Sequence, residues 1–294
     1  ILAAQSIKAG DNQLVIAGGF ENMSLAPHLE YLRTGVKFGD VKKIDHMQMD
    51  GLWCPFENWG MGNAAEHIAR KFNISREEQD RFSAQSHQRA AKAWKDCNFK
   101  AETVPLTAEQ LGQKEGVSQY EGIRGDSTPE GLSKLKPSFA KDGTVTAGNA
   151  SQISDGAAAL IVASEAKAQA LGVKPIARIV DYFTAGVDPK DIFDAPTFGI
   201  RELLKRNKLK VEDIDLFEIN EAFAAQVLAN IKQLNIPESK LNICGGGIAL
   251  GHPIGGSGAR VLTTLLHQMV RTNARRGVAS LCLGGGNRVD MPVG

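Results

Sequence analysis

The stretch GGGIALGHPIGGSGAR, residues Gly245–Arg260, is the most informative part of this sequence of 294 residues. Seven glycines surround His252 and Pro253 in it. A histidine held by glycine-rich backbone, rather than packed on an apolar helix face, is open to a ligand. A glycine-rich loop around a phosphate is the alternative, but the GxxxxGK[ST] and GxGxxG patterns are absent from this stretch. The sequence therefore favours a catalytic role for His252 over phosphate binding.

Two further motifs each have a structural and a functional interpretation. NEAFA, residues Asn220–Ala224, lies at a predicted junction of strand and helix, where an asparagine can serve simply as the helix N-cap. Cys282 is the penultimate residue of a predicted strand and stands just before Gly284–Gly286. A buried cysteine can be a small core side chain, whereas the strand ends of α/β sheets often hold functional sites. Taken alone, neither motif decides between the two interpretations.

Predicted strands alternate with predicted helices along much of the chain. A capping box at Ser75–Glu78 predicts a helix that ends near Asp96. Apolar side chains at helical spacing predict another helix from near Asn220. This alternation is typical of an α/β core with mixed or parallel sheets covered on both faces. The predicted buried strands are Gln13–Ala17, Ala157–Ser164, Val173–Tyr182, Asp215–Ile219, Leu241–Cys244 and Val278–Leu283.

Composition excludes several classes of protein. The 34 Lys and Arg residues nearly balance 33 Asp and Glu residues, so the net charge of +1 would not attract a nucleic acid. The longest apolar stretches, such as Ala157–Ala163, are far shorter than the roughly 20 residues of a membrane-spanning helix. The four cysteines form no CxxC pair, so the sequence predicts neither a zinc knuckle nor a disulfide scaffold. We expect no partner that is a nucleic acid or a membrane.

Several stretches carry a resemblance to a known family. They are NEAFA, GGGIALGHPIGGSGAR, LCLGGG at Leu281–Gly286 and GTVTAGNASQISDGAAA at Gly143–Ala159. Together they closely resemble the thiolase family, which includes acetyl-CoA acetyltransferases and 3-ketoacyl-CoA thiolases. IAGGFENMS at Ile16–Ser24 and the Met61–Glu66 region fit the same family. The resemblance therefore covers essentially the whole chain.

The resemblance implies a fold and a division of the chain. Thiolases are α/β proteins with two similar βαβαβαββ halves stacked in five layers, and a loop domain inserted in the first half holds coenzyme A. On this basis residues 1–24 are a remnant of the N-terminal half and residues 25–151 form the inserted coenzyme A-binding domain. Residues 152–170 return to the N-terminal half, and residues 171–294 form the C-terminal half. Because family members are usually dimers or tetramers, we expect a homodimer or homotetramer.

The resemblance also implies a mechanism with two thiols. His252 would activate a cysteine nucleophile that takes an acyl group from acyl-CoA. Cys282 would remove a proton from the α-carbon of acetyl-CoA, or return it during thiolysis. His252 and a water held by Asn220 would form one oxyanion hole, and the backbone N–H of Gly284, with that of the nucleophile, would form the second.

Four further residues are assigned to substrate binding by resemblance. Ser151 would contact the pantetheine arm, and Arg124 would lie near the nucleotide end of coenzyme A. Phe139 and Met61 would line the tunnel for the acyl group and pantetheine, although core packing explains them equally well. No metal and no permanently bound cofactor is expected, since coenzyme A and acetyl-CoA are substrates.

The sequence departs from the family pattern at three places. The CGSG-like motif of the nucleophile is absent, and Ile1–Ile7 has no initiator methionine, so we expect these residues to come from a longer protein and to be inactive alone. Cys54 and Cys97 fall in the loop domain, and Cys244 belongs to a predicted strand, so none is expected to replace it. Many biosynthetic members carry a histidine where this chain has Gly60, and Arg288 replaces a small or uncharged residue.

Two functions from different classes follow from these observations. The first is acyl-CoA C-acyl transfer, either Claisen condensation of two acetyl-CoA molecules or thiolysis of a 3-ketoacyl-CoA. The alternative is a thiolase-like protein that binds acyl-CoA without turnover. The presence of Asn220, His252 and Cys282 together favours the enzyme, because a binding protein would not need all three. We expect a cytoplasmic location, with mitochondrial and peroxisomal locations also open.

Overall fold

The computed structural model describes residues 1–96 and 98–294, so Cys97 lies outside the described residues. The helices are α1 Leu2–Ala9, α2 Met61–Lys71, α3 Arg76–Lys95, α4 Ala108–Leu111, α5 Pro129–Leu132, α6 Glu165–Ala170, α7 Ala195–Arg206, α8 Ala224–Leu234, α9 Gly247–Leu250 and α10 Ile254–Thr272. The strands are β1 Leu14–Asn22, β2 His28–Leu29, β3 Ile44–Asp45, β4 Trp53–Cys54, β5 Trp59–Gly60, β6 Asp155–Ala163, β7 Phe183–Gly186, β8 Leu216–Ile219, β9 Gly277–Leu283 and β10 Asn287–Val293.

A four-stranded sheet in the order β7–β10–β9–β8 organises the C-terminal part of the chain. Strand β8 runs parallel to β9, whereas β10 is antiparallel to both β7 and β9. Helix α7 packs on β10 and β9, and helix α10 packs on β9 and β8. Alternate residues of β9 therefore enter different cores, with Val278 in a cluster that includes α8 and Leu281 in a cluster that includes α10.

Strands β1 and β6 form a separate antiparallel pair, in which Leu14 is opposite Ala163 and Asn22 is opposite Asp155. One face packs on α10, and Gly19 is essential to this contact, because a Cβ there would overlap the carbonyl oxygen of Gly255. The other face is open to solvent, with Phe20 79% exposed. The prediction that both strands are buried is thus wrong for one face, because only one face of the pair packs on α10.

Helix α8 lies at the centre of the molecule and packs against α2, α3 and α7. The predicted capping box of α3 is confirmed, since the Ser75 hydroxyl accepts from the Glu78 N–H and the Glu78 carboxylate accepts from the Ser75 N–H. Helix α8 begins at Ala224, later than predicted, because Phe223 has extended backbone (φ −146°, ψ 146°). Asn220 is therefore not its N-cap, which leaves the asparagine side chain available for another role.

Two predicted strands do not form. Residues Leu241–Cys244 make a single parallel bridge, between Leu241 and Phe217, and then turn. The Asn242 side chain substitutes for further pairing, since its Nδ2 donates to the Ile219 carbonyl (2.8 Å) and its Oδ1 accepts from the Ile219 N–H (2.9 Å). Residues Val173–Tyr182 are mostly irregular, and the strand that joins the sheet there is β7. No helix in the described part of the chain is long and apolar enough to span a membrane.

Candidate active site

His252 lies between α9 and α10 and is held by hydrogen bonds at both ring nitrogens. Its Nδ1 is 2.6 Å from Ser257 Oγ, and that hydroxyl donates to the Pro253 carbonyl at 2.8 Å. Because the single hydroxyl proton of Ser257 is used on Pro253, Nδ1 must be the donor to Ser257 Oγ. In the neutral ring Nε2 then carries no proton and can act as a base.

The environment of His252 keeps the ring neutral. Burial, assisted by the charge of Arg260, lowers the pKa of His252 to about 4 from an ordinary value of 6.5. Arg260 lies one turn beyond Ser257 on α10 and is itself almost fully buried. A histidine that is neutral at physiological pH, with Nε2 free of its proton, is suited to accept a proton from a thiol.

Asn220 is the partner of His252 Nε2, at a distance of 3.2 Å from its Nδ2. Its backbone N–H donates to the Ser280 carbonyl (3.0 Å), which fixes Asn220 to strand β9 just beyond the end of β8. The Asn220 side chain is 1% exposed, and its Oδ1 has no hydrogen-bond partner among the described residues. A buried carbonyl oxygen without a partner is costly, so Asn220 is placed to bind a polar group that enters the site.

Cys282 and Gly284 lie at the end of β9. The Cys282 side chain is partly buried against the apolar cluster around α8, and this burial raises the pKa of its thiol to about 12. Gly284 is exposed, and a Cβ built on it would meet nothing within 4 Å, so its backbone is accessible to a ligand. Since Asn220 binds Ser280, two residues before Cys282, the Asn220–His252 pair and the Cys282–Gly284 segment lie at the same end of the sheet.

Three of the four residues assigned to substrate binding lie next to this end of the sheet. The Ser151 N–H donates to the carbonyl of Ala222 (2.9 Å), which is two residues after Asn220 in sequence. The Phe139 ring meets Phe223 edge-on with centroids 6.2 Å apart, and Met61 packs against the cluster that contains Phe223.

Arg124 is connected to these residues less directly. It is exposed, and its backbone N–H donates to His87 Nδ1 at 3.2 Å. Two residues before it, the Gly122 carbonyl accepts from Nε2 of Gln152, the neighbour of Ser151. The structure therefore places Arg124 at the rim of this region, and the coenzyme A contacts of all four residues stay predictions.

Sequence reasoning missed Ser257 and Glu221. Glu221 is buried, and its carboxylate accepts from Ser86 Oγ (2.6 Å), Asn242 Nδ2 (2.8 Å) and the Ile248 N–H (3.2 Å). It thereby ties the loop before His252 to α3, and burial raises its pKa. A charged residue between Asn220 and the apolar Ala222–Ala224 was the available signal for Glu221. For Ser257 the signal was its place five residues after His252, in the first turn of α10.

The other two described cysteines, Cys54 and Cys244, are both buried. Cys54 is buried in the β4–β5 hairpin. Cys244 is buried near Arg271, and burial raises the pKa of its thiol to about 11. Within residues 1–96 and 98–294, no group of three or more His, Cys, Asp or Glu side chains could hold a metal ion.

The chain matches known proteins along nearly its full length. Residues 1–166 match the family model for the thiolase N-terminal domain, and residues 173–293 match that for the thiolase C-terminal domain. The chain belongs to the thiolase family. An acetyl-CoA acetyltransferase of Pseudomonas aeruginosa is 48% identical over 294 residues, which span 99% of this chain and 75% of that thiolase.

Solved thiolase structures confirm the thiolase-like α/β fold predicted from the motifs. The human mitochondrial 3-ketoacyl-CoA thiolase superposes with a TM-score of 0.95 at 40% identity, over 99% of this chain and 74% of that chain. A structure of the same human thiolase in complex with CoA superposes with a TM-score of 0.94, over 99% of this chain and 73% of that chain. This thiolase chain thus spans about three quarters of the length of these relatives.

Proposed function

We propose that this thiolase chain catalyses acyl-CoA C-acyl transfer through an acyl-cysteine intermediate. The observation that carries the proposal is the state of His252, a neutral ring with a bare Nε2 held against Asn220 at 3.2 Å. A protein that only binds acyl-CoA has no need for a buried base of this kind. The names of the relatives, acetyl-CoA acetyltransferase and 3-ketoacyl-CoA thiolase, support the same activity. The non-catalytic alternative is therefore not favoured.

The first half of the reaction uses His252. Its Nε2 takes the proton of the nucleophilic thiol, the thiolate attacks the acyl-CoA carbonyl, and CoA leaves as a thiolate. Cys282 gives its proton to that thiolate and becomes the base for the second half. Of the described cysteines, Cys54 and Cys244 are buried and neither is hydrogen-bonded to His252, so we infer that the nucleophile is a cysteine other than these two and Cys282.

The second half of the reaction uses Cys282. Its thiolate removes the α-proton of acetyl-CoA, and the enolate attacks the acyl-cysteine carbonyl to give a 3-ketoacyl-CoA. The released nucleophile takes back the proton held by His252, so all protons are accounted for. Protonated Nε2 and a water on Asn220 would stabilise the enolate oxygen, and the N–H of Gly284 would stabilise the tetrahedral intermediate. Losing one such donor typically costs about 3 kcal/mol in the transition state.

Coenzyme A is proposed as substrate because the human relative has been crystallised with it. Ser151 would contact the pantetheine arm, Phe139 and Met61 would line the tunnel, and Arg124 would lie near the nucleotide. We also propose the domain division given above, with residues 25–151 as the coenzyme A-binding insertion. A homodimer or homotetramer and a cytoplasmic location complete the proposal.

The proposal is tested by the thiolysis of acetoacetyl-CoA by the purified enzyme and its His252→Ala variant. We expect the variant to lose thiolysis and condensation by more than about a thousandfold, because His252 both activates the nucleophile and stabilises the oxyanion. His267→Ala is the matched control, since His267 lies on α10 away from Asn220 and its loss should leave the rate unchanged. A His252→Ala variant that keeps its rate within tenfold of the parent would refute the proposed role.

A further inference from the structure

Arg288 and Asp290 form a buried ion pair on the face of the sheet that also carries Cys282. In the antiparallel pairing of β10 with β9, Arg288 is opposite Cys282 and Asp290 is opposite Ser280. Residues directly opposite each other in such a pair project from the same face. Arg288 is 4% exposed and Asp290 is 1% exposed, so both charges are shielded from solvent.

The pair is poorly hydrogen-bonded. Arg288 Nε lies 3.6 Å from Asp290 Oδ2, beyond hydrogen-bond distance, and neither atom has a hydrogen-bond partner among the described residues. The Arg288 guanidinium packs over the Phe183 ring at 5.1 Å. A buried ion pair with unmade hydrogen bonds gives little net stability, and well-packed apolar residues often do as well or better. Stability is therefore a weak explanation for these two charges.

Helix α7 is shaped to accept the pair. A Cβ on Gly199 would overlap Asp290 Oδ2 and would approach Arg288 Nε to 2.7 Å. Glycine inside a helix costs about 1 kcal/mol relative to alanine, so the absence of a side chain at Gly199 makes room for the two charges at the expense of helix stability. The fold thus contains a dedicated space for the two charges.

The pair is connected to Cys282 through Ser280. Asp290 Oδ1 accepts from Ser280 Oγ at 2.5 Å, two residues before Cys282 on the same face of β9. Burial is the main cause of the raised pKa of the Cys282 thiol, and the Asp290 charge raises it further. A cation opposite the thiol favours the thiolate. Of the other charged groups near the pair, Glu202 of α7 acts on Arg288, and Arg206 of α7 packs over the Phe183 ring.

We infer that the Arg288–Asp290 pair is an electrostatic control on Cys282, in which the carboxylate adds to the effect of burial in disfavouring the thiolate and the guanidinium opposes the carboxylate. Both are positioning residues, since they act through Cys282 rather than on substrate. The role in proton transfer rests on the proposed function, because a thiol that must first donate a proton and then accept one needs a balanced proton affinity. The chemical effect on the thiol does not depend on the reaction.

The test is the pH dependence of Cys282 alkylation by iodoacetamide, followed by mass spectrometry of the Cys282 peptide. Because the thiolate is the reacting form, the rate reports its population. We expect Asp290→Asn to raise the rate about tenfold near pH 9 and Arg288→Met to lower it by a similar factor. Arg288→Lys keeps the charge and should stay close to the parent.

Burial raises the pKa of Asp290 to about 7, so the effect of Asp290→Asn should be smaller below neutral pH, where the parent carboxyl is protonated. Opposite changes in the Cys282 alkylation rate of Asp290→Asn and Arg288→Met support the inference, because a general loosening of the structure would raise both rates. If Arg288→Met does not fold, as judged by thermal unfolding, the pH profile of the Cys282 alkylation rate in Asp290→Asn alone tests the inference. Shifts in the same direction, or an Asp290→Asn profile that coincides with the parent, would overturn it.

This alkylation experiment needs no turnover, so its result is separate from that of the proposed function. In the active enzyme, kcat for condensation should change in Arg288→Met and Asp290→Asn and should stay close to the parent in Arg288→Lys. An altered KM with unchanged kcat would instead indicate a structural effect on substrate binding.

Discussion

Replacing Ser257 by alanine should weaken catalysis although the serine itself never touches substrate. Ser257 is fully buried, and its hydroxyl is the only described partner of His252 Nδ1, at 2.6 Å. Without it the Nδ1–H is left buried and unpartnered, which costs about 1–3 kcal/mol. That cost disfavours the tautomer in which Nε2 is the base.

At about 1.4 kcal/mol per factor of ten, this penalty predicts a loss of about 5- to 140-fold in kcat/KM for Ser257→Ala. The assay is steady-state thiolysis of acetoacetyl-CoA, with thermal unfolding measured on the same preparations. Ser83→Ala is the matched control: Ser83 is also fully buried in a helix, and its hydroxyl donates to the Gln79 carbonyl four residues earlier (2.8 Å), as Ser257 does to Pro253.

Both serine variants lose a serine-to-carbonyl bond, and Ser257→Ala also leaves the His252 Nδ1–H without a partner. We therefore expect Ser257→Ala to lose at least as much stability as Ser83→Ala, whereas only Ser257→Ala should lose activity. If Ser257→Ala stayed within twofold of the parent, or if Ser83→Ala lost as much activity, the argument from the tautomer would be refuted.

Two further predictions concern protonation and packing. Nitrogen NMR of the histidine rings should show that His252 is neutral at pH 7, with its proton on Nδ1. Because the pKa of His252 lies near 4, below its ordinary value of 6.5, the free energy of unfolding should not change through this residue above about pH 6.5 and should fall as the pH drops toward 4. An imidazolium form of His252 at pH 6 would contradict this prediction. Gly19→Ala should lower the unfolding temperature, because the added Cβ would overlap the Gly255 carbonyl. Gly258→Ala is the control: it lies in α10 and has nothing within 4 Å of the added Cβ, so it should be neutral or stabilising. Equal effects of the two substitutions would show that the close approach of β1 to α10 is unimportant for stability.

The resemblance of the motifs to a family assigned His252 and a water held by Asn220 to one oxyanion hole, and the structure brings the two side chains within 3.2 Å of each other. Residue types alone could not predict the Nδ1 proton of His252, which depends on where Ser257 sends its own proton. The depressed pKa of His252 also depends on burial and on Arg260, and both arise only after α10 has packed.

Errors in the strand predictions have local causes. Leu241–Cys244 has the apolar pattern of a strand, but the Asn242 side chain takes up the hydrogen bonds of Ile219 that another strand would have used. Val173–Tyr182 contains enough β-branched and aromatic residues to predict a strand, yet only one bridge, between Ile179 and Val293, forms. A hydrophobic pattern indicates which residues are buried, but whether they form a strand depends on pairing with a segment that is distant in sequence.

The division of labour between His252 and Cys282 is the central claim, and it is tested most directly by mass spectrometry of the enzyme after incubation with acetyl-CoA. In the Cys282→Ser variant we expect a stable acetyl adduct on a different cysteine, together with nearly complete loss of acetoacetyl-CoA formation, because His252 activates the nucleophile and CoA can leave as a thiolate that takes its proton from solvent instead of from Cys282. In His252→Ala the adduct itself should be missing. A Cys282→Ser variant that forms no adduct, or an adduct found on Cys282 in the parent enzyme, would contradict the account.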